Sequence, residues 1–141
     1  MNIYLDTSAL VPLIVEEPGT AACRELWERA DLAVSSAVTW VEATAALARA
    51  ARHGRLTAEQ LATALQSLDA VWARVAVVPA DEQRLDAAAQ AARRHALRGY
   101  DAVHCACAVS VSGDDVLAAS GDQELLTAWR AEGLAVVDTT R

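Results

Sequence analysis

The sequence contains no lysine and no phenylalanine among its 141 residues, so the 12 residues of its lysine-plus-arginine count are all arginine. Two classes of α/β protein that carry an aspartate after their first strand, phospho-accepting receiver domains and haloacid-type phosphatases, need a lysine. The lack of lysine therefore excludes both classes. The phosphatases also need a second aspartate two residues after the first, and here Ser8 stands two residues after Asp6.

The sequence also lacks the features of membrane, secreted and several enzyme classes. It has no apolar run near the roughly 20 residues of a membrane span, and no basic leader precedes an apolar segment, so we expect neither a span nor a signal peptide. Its three cysteines, Cys23, Cys105 and Cys107, form no C-x-x-C pair, which favours a reduced, cytoplasmic protein. No glycine-rich phosphate loop or G-x-S-x-G elbow is present.

The formal net charge is −7 at pH 7. An acidic protein does not attract nucleic acid through its overall field. A phosphate-bearing substrate would therefore need either a local group of arginines or bound cations.

Short apolar runs alternate with helical patterns along the chain. The predicted strands cover residues 3–5, 33–35, 75–78, 116–119 and 134–137, and the predicted helices cover 8–15, 20–30, 39–53, 57–73, 81–97, 100–111 and 122–132. Thr39 to Glu42 and Thr57 to Gln60 both have the spacing of a capping box at a helix start. Apolar strands that alternate with helices predict a parallel sheet covered on both faces. We therefore expect residues 1–141 to form one three-layer α/β/α domain with a short parallel central sheet.

Four acidic residues stand out by their positions. Asp6 follows the first strand, Asp122 follows the strand 116–119, Glu42 lies in the first turn of a long helix, and Asp101 begins another helix. In a parallel sheet the carboxyl ends of the strands share one edge with the following helix starts. Clustered carboxylates are costly to bury without a cation, and oxygen-only ligands suit Mg²⁺ or Mn²⁺. The pattern indicates metal-dependent phosphoryl hydrolysis.

Each acid also has a purely structural interpretation. Asp6 and Asp122 have the residue type and position of helix N-caps. Glu42 is the expected capping-box partner of Thr39, and Asp101 favours a helix start. Taken one at a time, these structural roles are the simpler interpretation, and the functional one depends on the whole set.

Four short motifs in order resemble a known family. They are Tyr4-Leu-Asp6-Thr-Ser-Ala-Leu10, Val38-Thr-Trp-Val-Glu42, Arg98-Gly-Tyr-Asp101-Ala-Val-His104 and Ala119-Ser-Gly-Asp122-Gln-Glu-Leu125. Together they resemble the PIN-domain ribonucleases of the VapC type, which are toxins of type II toxin–antitoxin pairs. The resemblance covers essentially the whole chain.

The resemblance implies a Mg²⁺-dependent endoribonuclease, with Mn²⁺ as a second possible ion. It implies a catalytic quartet of Asp6, Glu42, Asp101 and Asp122, in which Asp6, Asp101 and Asp122 hold the metal. By the same analogy Ser8 orients a ligand or water beside Asp6. The family also implies an RNA substrate, a homodimer and a small antitoxin whose tail occupies the active-site groove. The alternative is a non-catalytic PIN-like module that only dimerises or binds a partner, which the loss of an acid would favour.

Several further residues have both a functional and a structural interpretation. Six arginines in two groups could hold RNA phosphates: Arg49, Arg52 and Arg55, and Arg93, Arg94 and Arg98. We expect most of them to form a solvated face with salt bridges to nearby acids, with Arg98 as the best candidate for substrate binding because it is close to Asp101. His104, Cys105 and Cys107 supply too few ligands on one helix face for zinc, and we expect core positions. Four tryptophans could stack on bases, but core or dimer packing is the expectation: Trp27, Trp40, Trp72 and Trp129.

Overall fold

The computed structural model describes residues 1–141 and contains five strands and seven α-helices. The strands are β1 (Asn2–Leu5), β2 (Leu32–Ser36), β3 (Val75–Val78), β4 (Val116–Ser120) and β5 (Ala135–Asp138). The helices are α1 (Thr7–Leu10), α2 (Thr20–Arg29), α3 (Val38–Arg52), α4 (Ala58–Trp72), α5 (Glu82–His95), α6 (Gly99–Ser110) and α7 (Gln123–Ala131), with a 3₁₀ helix at Val11–Leu13. None of the helices is both long and apolar enough to cross a bilayer.

All strand pairs are parallel, and the strand order is β3-β2-β1-β4-β5. The first strand therefore lies in the centre, and its side chains alternate between the faces. Tyr4 packs into one apolar cluster with residues of α5, α6 and α7, whereas Ile3 and Leu5 pack into a second cluster with residues of α1, α2, α3 and α4. The side chains of Ile3, Tyr4 and Leu5 are fully buried. These two clusters confirm the predicted three-layer α/β/α architecture.

The predicted capping box at Thr57 is confirmed, but the one at Thr39 is wrong. Thr57 and Gln60 exchange both hydrogen bonds of the box at the start of α4. Helix α3 instead begins at Val38, one residue before Thr39, and has no side-chain cap. The Thr39 hydroxyl is buried and lies 2.7 Å from the Ser35 hydroxyl. The expected local role of Glu42 is therefore excluded, and its carboxylate is available for other contacts.

Two predicted helices have different bounds in the structure. The expected helix over 8–15 is divided into α1 and the 3₁₀ helix, because Pro12 cannot donate a backbone hydrogen bond. Helix α5 ends at His95, two residues before the expected end at Leu97, because Ala96 takes a left-handed conformation with φ of 52°. The turn after Ala96 brings Arg98 to the start of α6.

Candidate functional site

A cleft of about 340 Å³ opens at the carboxyl ends of β1 and β4. These strands are neighbours, with Leu5 opposite Ala119, so the residues that follow them meet at one sheet edge, as predicted. The starts of α3 and α6 complete the cleft. All four predicted acids line it, together with Ser8: Asp6, Glu42, Asp101 and Asp122.

Asp6 is held rigidly at the base of the cleft and is only 4% exposed. Its Oδ1 accepts hydrogen bonds from the Ala9 amide at 3.0 Å and from the Ser8 hydroxyl at 2.7 Å. Its Oδ2 accepts the Ser120 hydroxyl at 2.6 Å. Ser8 also accepts the Gly121 amide at 2.8 Å, so the two strand ends are joined by side-chain hydrogen bonds. Asp6 therefore is the N-cap of α1, as its structural interpretation predicted, and also faces the cleft.

Glu42 is fixed by a buried hydrogen-bond chain that begins at the central strand. The Tyr4 hydroxyl lies 2.8 Å from His104 Nδ1, and His104 Nε2 lies 2.7 Å from Glu42 Oε1. The Thr7 hydroxyl donates to the same Glu42 oxygen at 2.8 Å. If the tyrosine hydroxyl donates to Nδ1, then Nε2 carries the proton and donates to Glu42. None of these hydrogen bonds uses Oε2 of Glu42.

Asp101 and Asp122 lie on either side of the Arg98 guanidinium. Arg98 Nε is 3.5 Å from Asp101 Oδ2, and an Arg98 terminal nitrogen is 3.7 Å from Asp122 Oδ2. Asp122 Oδ1 accepts the Leu125 amide at 3.1 Å and caps α7. Asp101 Oδ2, in contrast, is buried without a hydrogen-bond partner. The side chain of Arg98 is 80% exposed, so it covers this pair from the solvent side.

Three carboxylates of the cleft have shifted pKa values, and they differ in their surroundings. Burial raises the pKa of Asp6, although the hydrogen bonds from Ser120 and Ser8 oppose the rise. Burial also raises the pKa of Asp101, and the negative charge of Asp122 adds to the effect. Burial opposes ionisation of Glu42 too, but the hydrogen bonds from His104 and Thr7 hold its pKa below the ordinary value. The carboxylates of the cleft therefore repel one another, and a bound cation would reduce this repulsion.

Asp101→Asn is expected to raise the free energy of unfolding in metal-free buffer at pH 7 by about 1 kcal/mol, the size typical of stabilising changes at strained functional sites. The folded state raises the pKa of Asp101, so the ionised carboxylate destabilises the fold above that pKa. As the pH falls through the raised pKa, protonation removes this cost. The advantage of the asparagine should therefore shrink, and should vanish below the ordinary value of 3.8.

Chemical denaturation in EDTA at several pH values measures this effect. Asp69→Asn is the matched control, because Asp69 is exposed on α4 and its substitution should change stability by less than about 0.5 kcal/mol. An Asp101→Asn protein that is less stable at pH 7 would show that the repulsion is absent.

Four residues that line the cleft or contact its acids were not predicted from the sequence as site residues: Thr7, Glu17, His104 and Ser120. His104 is buried, as expected of a core residue, but it also contacts Glu42. Ser120 connects Asp6 to the Asp122 amide, which donates to its hydroxyl at 2.9 Å. Glu17 adds a fifth carboxylate at the rim. Only His104 had a usable signal, since it follows Asp101 by three residues and so shares its helix face.

The prediction of salt bridges is wrong for one group of arginines. Arg49, Arg52 and Arg55 have no carboxylate within 4 Å, whereas Arg94 pairs with Glu132 and Arg98 with Asp101 and Asp122. Both clustered cysteines are buried, as expected, and Trp129 is fully buried in the core. Trp40 packs against Trp72 with ring centroids 5.7 Å apart.

The sequence profile of the PIN domain matches residues 3–128 of this chain. Two curated relatives from Mycobacterium tuberculosis, Ribonuclease VapC45 of strain CDC 1551 / Oshkosh and Ribonuclease VapC49 of strain ATCC 25618 / H37Rv, are each 39% identical over 134 residues. In both cases the alignment covers 95% of this chain and 93% of the relative.

Two solved structures have the same fold as this chain. PAE2754 from Pyrobaculum aerophilum superposes with a TM-score of 0.72 at 25% identity, over 96% of this chain and 83% of that chain. The DNA-bound VapBC structure from Salmonella typhimurium superposes with a TM-score of 0.66 at 16% identity, over 99% of this chain and 98% of that chain.

Proposed function

The chain belongs to the PIN-domain family and is an endoribonuclease of the VapC type, and from this premise we propose that it hydrolyses RNA phosphodiesters with Mg²⁺ at the cleft described above. The observation that supports this site best is that folding gathers Asp6, Glu42, Asp101 and Asp122 around one cleft. All four acids are present and face it together. The loss of an acid would favour a non-catalytic PIN-like module, and no acid is lost.

The residues of the cleft fit a hard divalent cation, and PIN-domain ribonucleases generally use divalent metal ions. The donors are carboxylate oxygens, Asp101 Oδ2 has no hydrogen-bond partner, and a guanidinium already lies between Asp101 and Asp122. No three histidine, cysteine, aspartate or glutamate side chains are arranged to hold a metal ion by themselves. Mg²⁺ usually takes only one or two protein carboxylates and keeps waters and substrate phosphates as its other ligands. We propose Mg²⁺, with Mn²⁺ as its substitute.

Each acid has a distinct role in this proposal. Asp6 and Asp101 hold the cation directly, and Asp122 completes the site. When bound, the cation offsets the negative charge of the phosphodiester and makes water a better nucleophile at neutral pH. Glu42 stays ionised because of its lowered pKa, and its Oε2 is free to accept a hydrogen bond from the attacking water. Ser8 positions Asp6, and Arg98 leaves the carboxylates to contact a substrate phosphate.

The partners also follow from the VapC assignment. We propose that a small antitoxin inhibits this chain by placing its tail in the cleft, and that the chain forms a homodimer. Trp40, which is 39% exposed, supplies apolar surface on α3 for the contact between the two copies. The three free thiols support a reducing, cytoplasmic location.

Removal of divalent ions is expected to abolish RNA cleavage by the purified chain, and excess Mg²⁺ or Mn²⁺ should restore it. The same ions should raise the thermal midpoint of unfolding, because saturation at 100 times the dissociation constant stabilises the fold by about 2.7 kcal/mol. Gel electrophoresis of the RNA measures cleavage, and a thermal shift titration with Mg²⁺ measures the change in the midpoint of unfolding. Cleavage that continues unchanged in EDTA would contradict the proposal.

A further inference from the structure

A second groove runs directly beside the acidic cleft and shares Glu42 with it. Helix α3 forms one wall and Tyr100, at the start of α6, forms the other, and the volume is about 450 Å³. We call it the arginine groove. Besides Glu42, its polar lining comes from Arg49, Arg52 and Tyr100.

Tyr100 differs from the other tyrosine and from the tryptophans of the chain in its exposure and in its contacts. It is 57% exposed, whereas Tyr4 and Trp129 are fully buried. Its ring contacts no other aromatic ring or arginine, although Trp40 pairs with Trp72, and Arg74 lies over Trp27. The ring separates the arginine groove from a larger groove of about 750 Å³ that contains Arg98 and Asp101. A free aromatic face therefore lies next to the acidic cleft.

Arg49 and Arg52 are one helical turn apart on α3 and both are exposed. Neither has a carboxylate within 4 Å, while six of the 12 arginines are in ion pairs: Arg24, Arg29, Arg84, Arg94, Arg98 and Arg141. In a chain of net charge −7, these two guanidinium groups are a local positive surface beside the acids. Arginine presents five donors and suits phosphate oxygens.

We propose that the arginine groove binds the single-stranded RNA segment next to the cleaved phosphodiester, with an unpaired base stacked on Tyr100 and phosphates held by Arg49 and Arg52. This inference rests on the proposed function, because it places the substrate strand relative to the same cleft. A duplex fits poorly, since its bases are already stacked on one another and cannot present a face to Tyr100. An aromatic ring beside a positive groove is the usual arrangement for binding single strands.

Fluorescence anisotropy with a labelled ten-nucleotide single-stranded RNA, measured in EDTA so that no cleavage occurs, tests the groove. We expect Tyr100→Ala to weaken binding about tenfold, and Tyr100→Phe to retain most of the affinity because the stacking face remains. Arg49→Ala combined with Arg52→Ala should weaken binding and reduce the salt dependence by about 1.4 in log–log slope, about 0.7 for each phosphate contact.

The control is Arg93→Ala combined with Arg130→Ala, which removes the same charge. Both arginines are exposed, neither has a carboxylate within 4 Å, and neither lines a groove beside the acids. This control should bind RNA nearly as the unchanged protein does. Circular dichroism melting of each variant shows whether it is folded at the assay temperature.

The outcomes of these experiments distinguish a failure of this inference from a failure of the proposed function. Unchanged RNA affinity in Tyr100→Ala and in the Arg49/Arg52 double variant, with normal cleavage in Mg²⁺, overturns the groove and leaves the ribonuclease site standing. Weakened binding together with no cleavage by the unchanged protein in Mg²⁺ supports the groove and contradicts the proposed function. A duplex of the same sequence that binds as tightly as the single strand overturns the single-strand assignment.

Discussion

Asp6→Asn is expected to lower the rate of RNA cleavage by about 10³-fold while the protein stays folded. Asparagine has the same shape, and its side-chain oxygen can still accept the Ala9 amide that caps α1. It carries no charge, however, so the cleft loses one of the two carboxylates that we propose to hold the cation directly. A loss of roughly 4 kcal/mol of transition-state stabilisation, within the range supplied by a metal ion, corresponds to about three powers of ten in rate.

Initial rates of cleavage at saturating Mg²⁺ measure this loss, and the thermal midpoint in EDTA measures folding. Asp69→Asn is again the matched control, since it removes one carboxylate from the exposed face of α4. Asp6→Asn should also lose the stabilisation by Mg²⁺ that the unchanged protein shows. A folded Asp6→Asn protein that cleaves within about threefold of the normal rate would remove Asp6 from the catalytic quartet.

The sheet was the part of the fold that the sequence predicted best. The predicted strand 75–78 has the observed bounds, and the other strands differ by one residue at one or both ends. The reason is that strands buried on both faces appear as uninterrupted apolar runs bounded by turn residues, which is a local signal. The meeting of Asp6 and Asp122 was expected only if the strands before them were neighbours, and the structure shows that these strands, β1 and β4, are paired.

The error at Thr39 shows where local patterns fail. The spacing of Thr39 and Glu42 fits a capping box as well as that of Thr57 and Gln60 does. At Thr39 the competing partner is the Ser35 hydroxyl, which is buried under the chain as it leaves β2. Because Ser35 also donates to the Leu5 carbonyl at 2.6 Å, tertiary packing decides the outcome. No such competitor exists at the exposed start of α4.

The arginines show a second limit of sequence patterns. The regular spacing of Arg49, Arg52 and Arg55 suggested a solvated face with ion pairs, but a spacing cannot say which acids stand opposite. In the folded chain the neighbouring carboxylate, Glu42, is turned toward His104 and Thr7. Arg49 and Arg52 therefore remain unpaired beside the cleft.

His104→Phe is expected to lower the cleavage rate by 10- to 100-fold, the usual effect of removing a group that orients a functional side chain. His104 holds Glu42 through Nε2 at 2.7 Å, and phenylalanine keeps the ring volume while removing that hydrogen bond. The same change leaves the buried Tyr4 hydroxyl without its partner, so the free energy of unfolding should fall by about 2 kcal/mol. Activity and stability are therefore lost together in this variant.

His104→Gln separates the two effects, because the glutamine amide can reach the position of Nε2 but not that of Nδ1. If His104 is a positioning residue for Glu42, His104→Gln should recover most of the cleavage rate yet remain destabilised, since the Tyr4 hydroxyl still lacks its acceptor. Cleavage rates and denaturation curves of the two variants, measured side by side at a temperature where both are folded, give the comparison. Equal cleavage by His104→Phe and the unchanged protein would show that the hydrogen bond to Glu42 only supports the fold, and that the orientation of Glu42 is set by Thr7 alone.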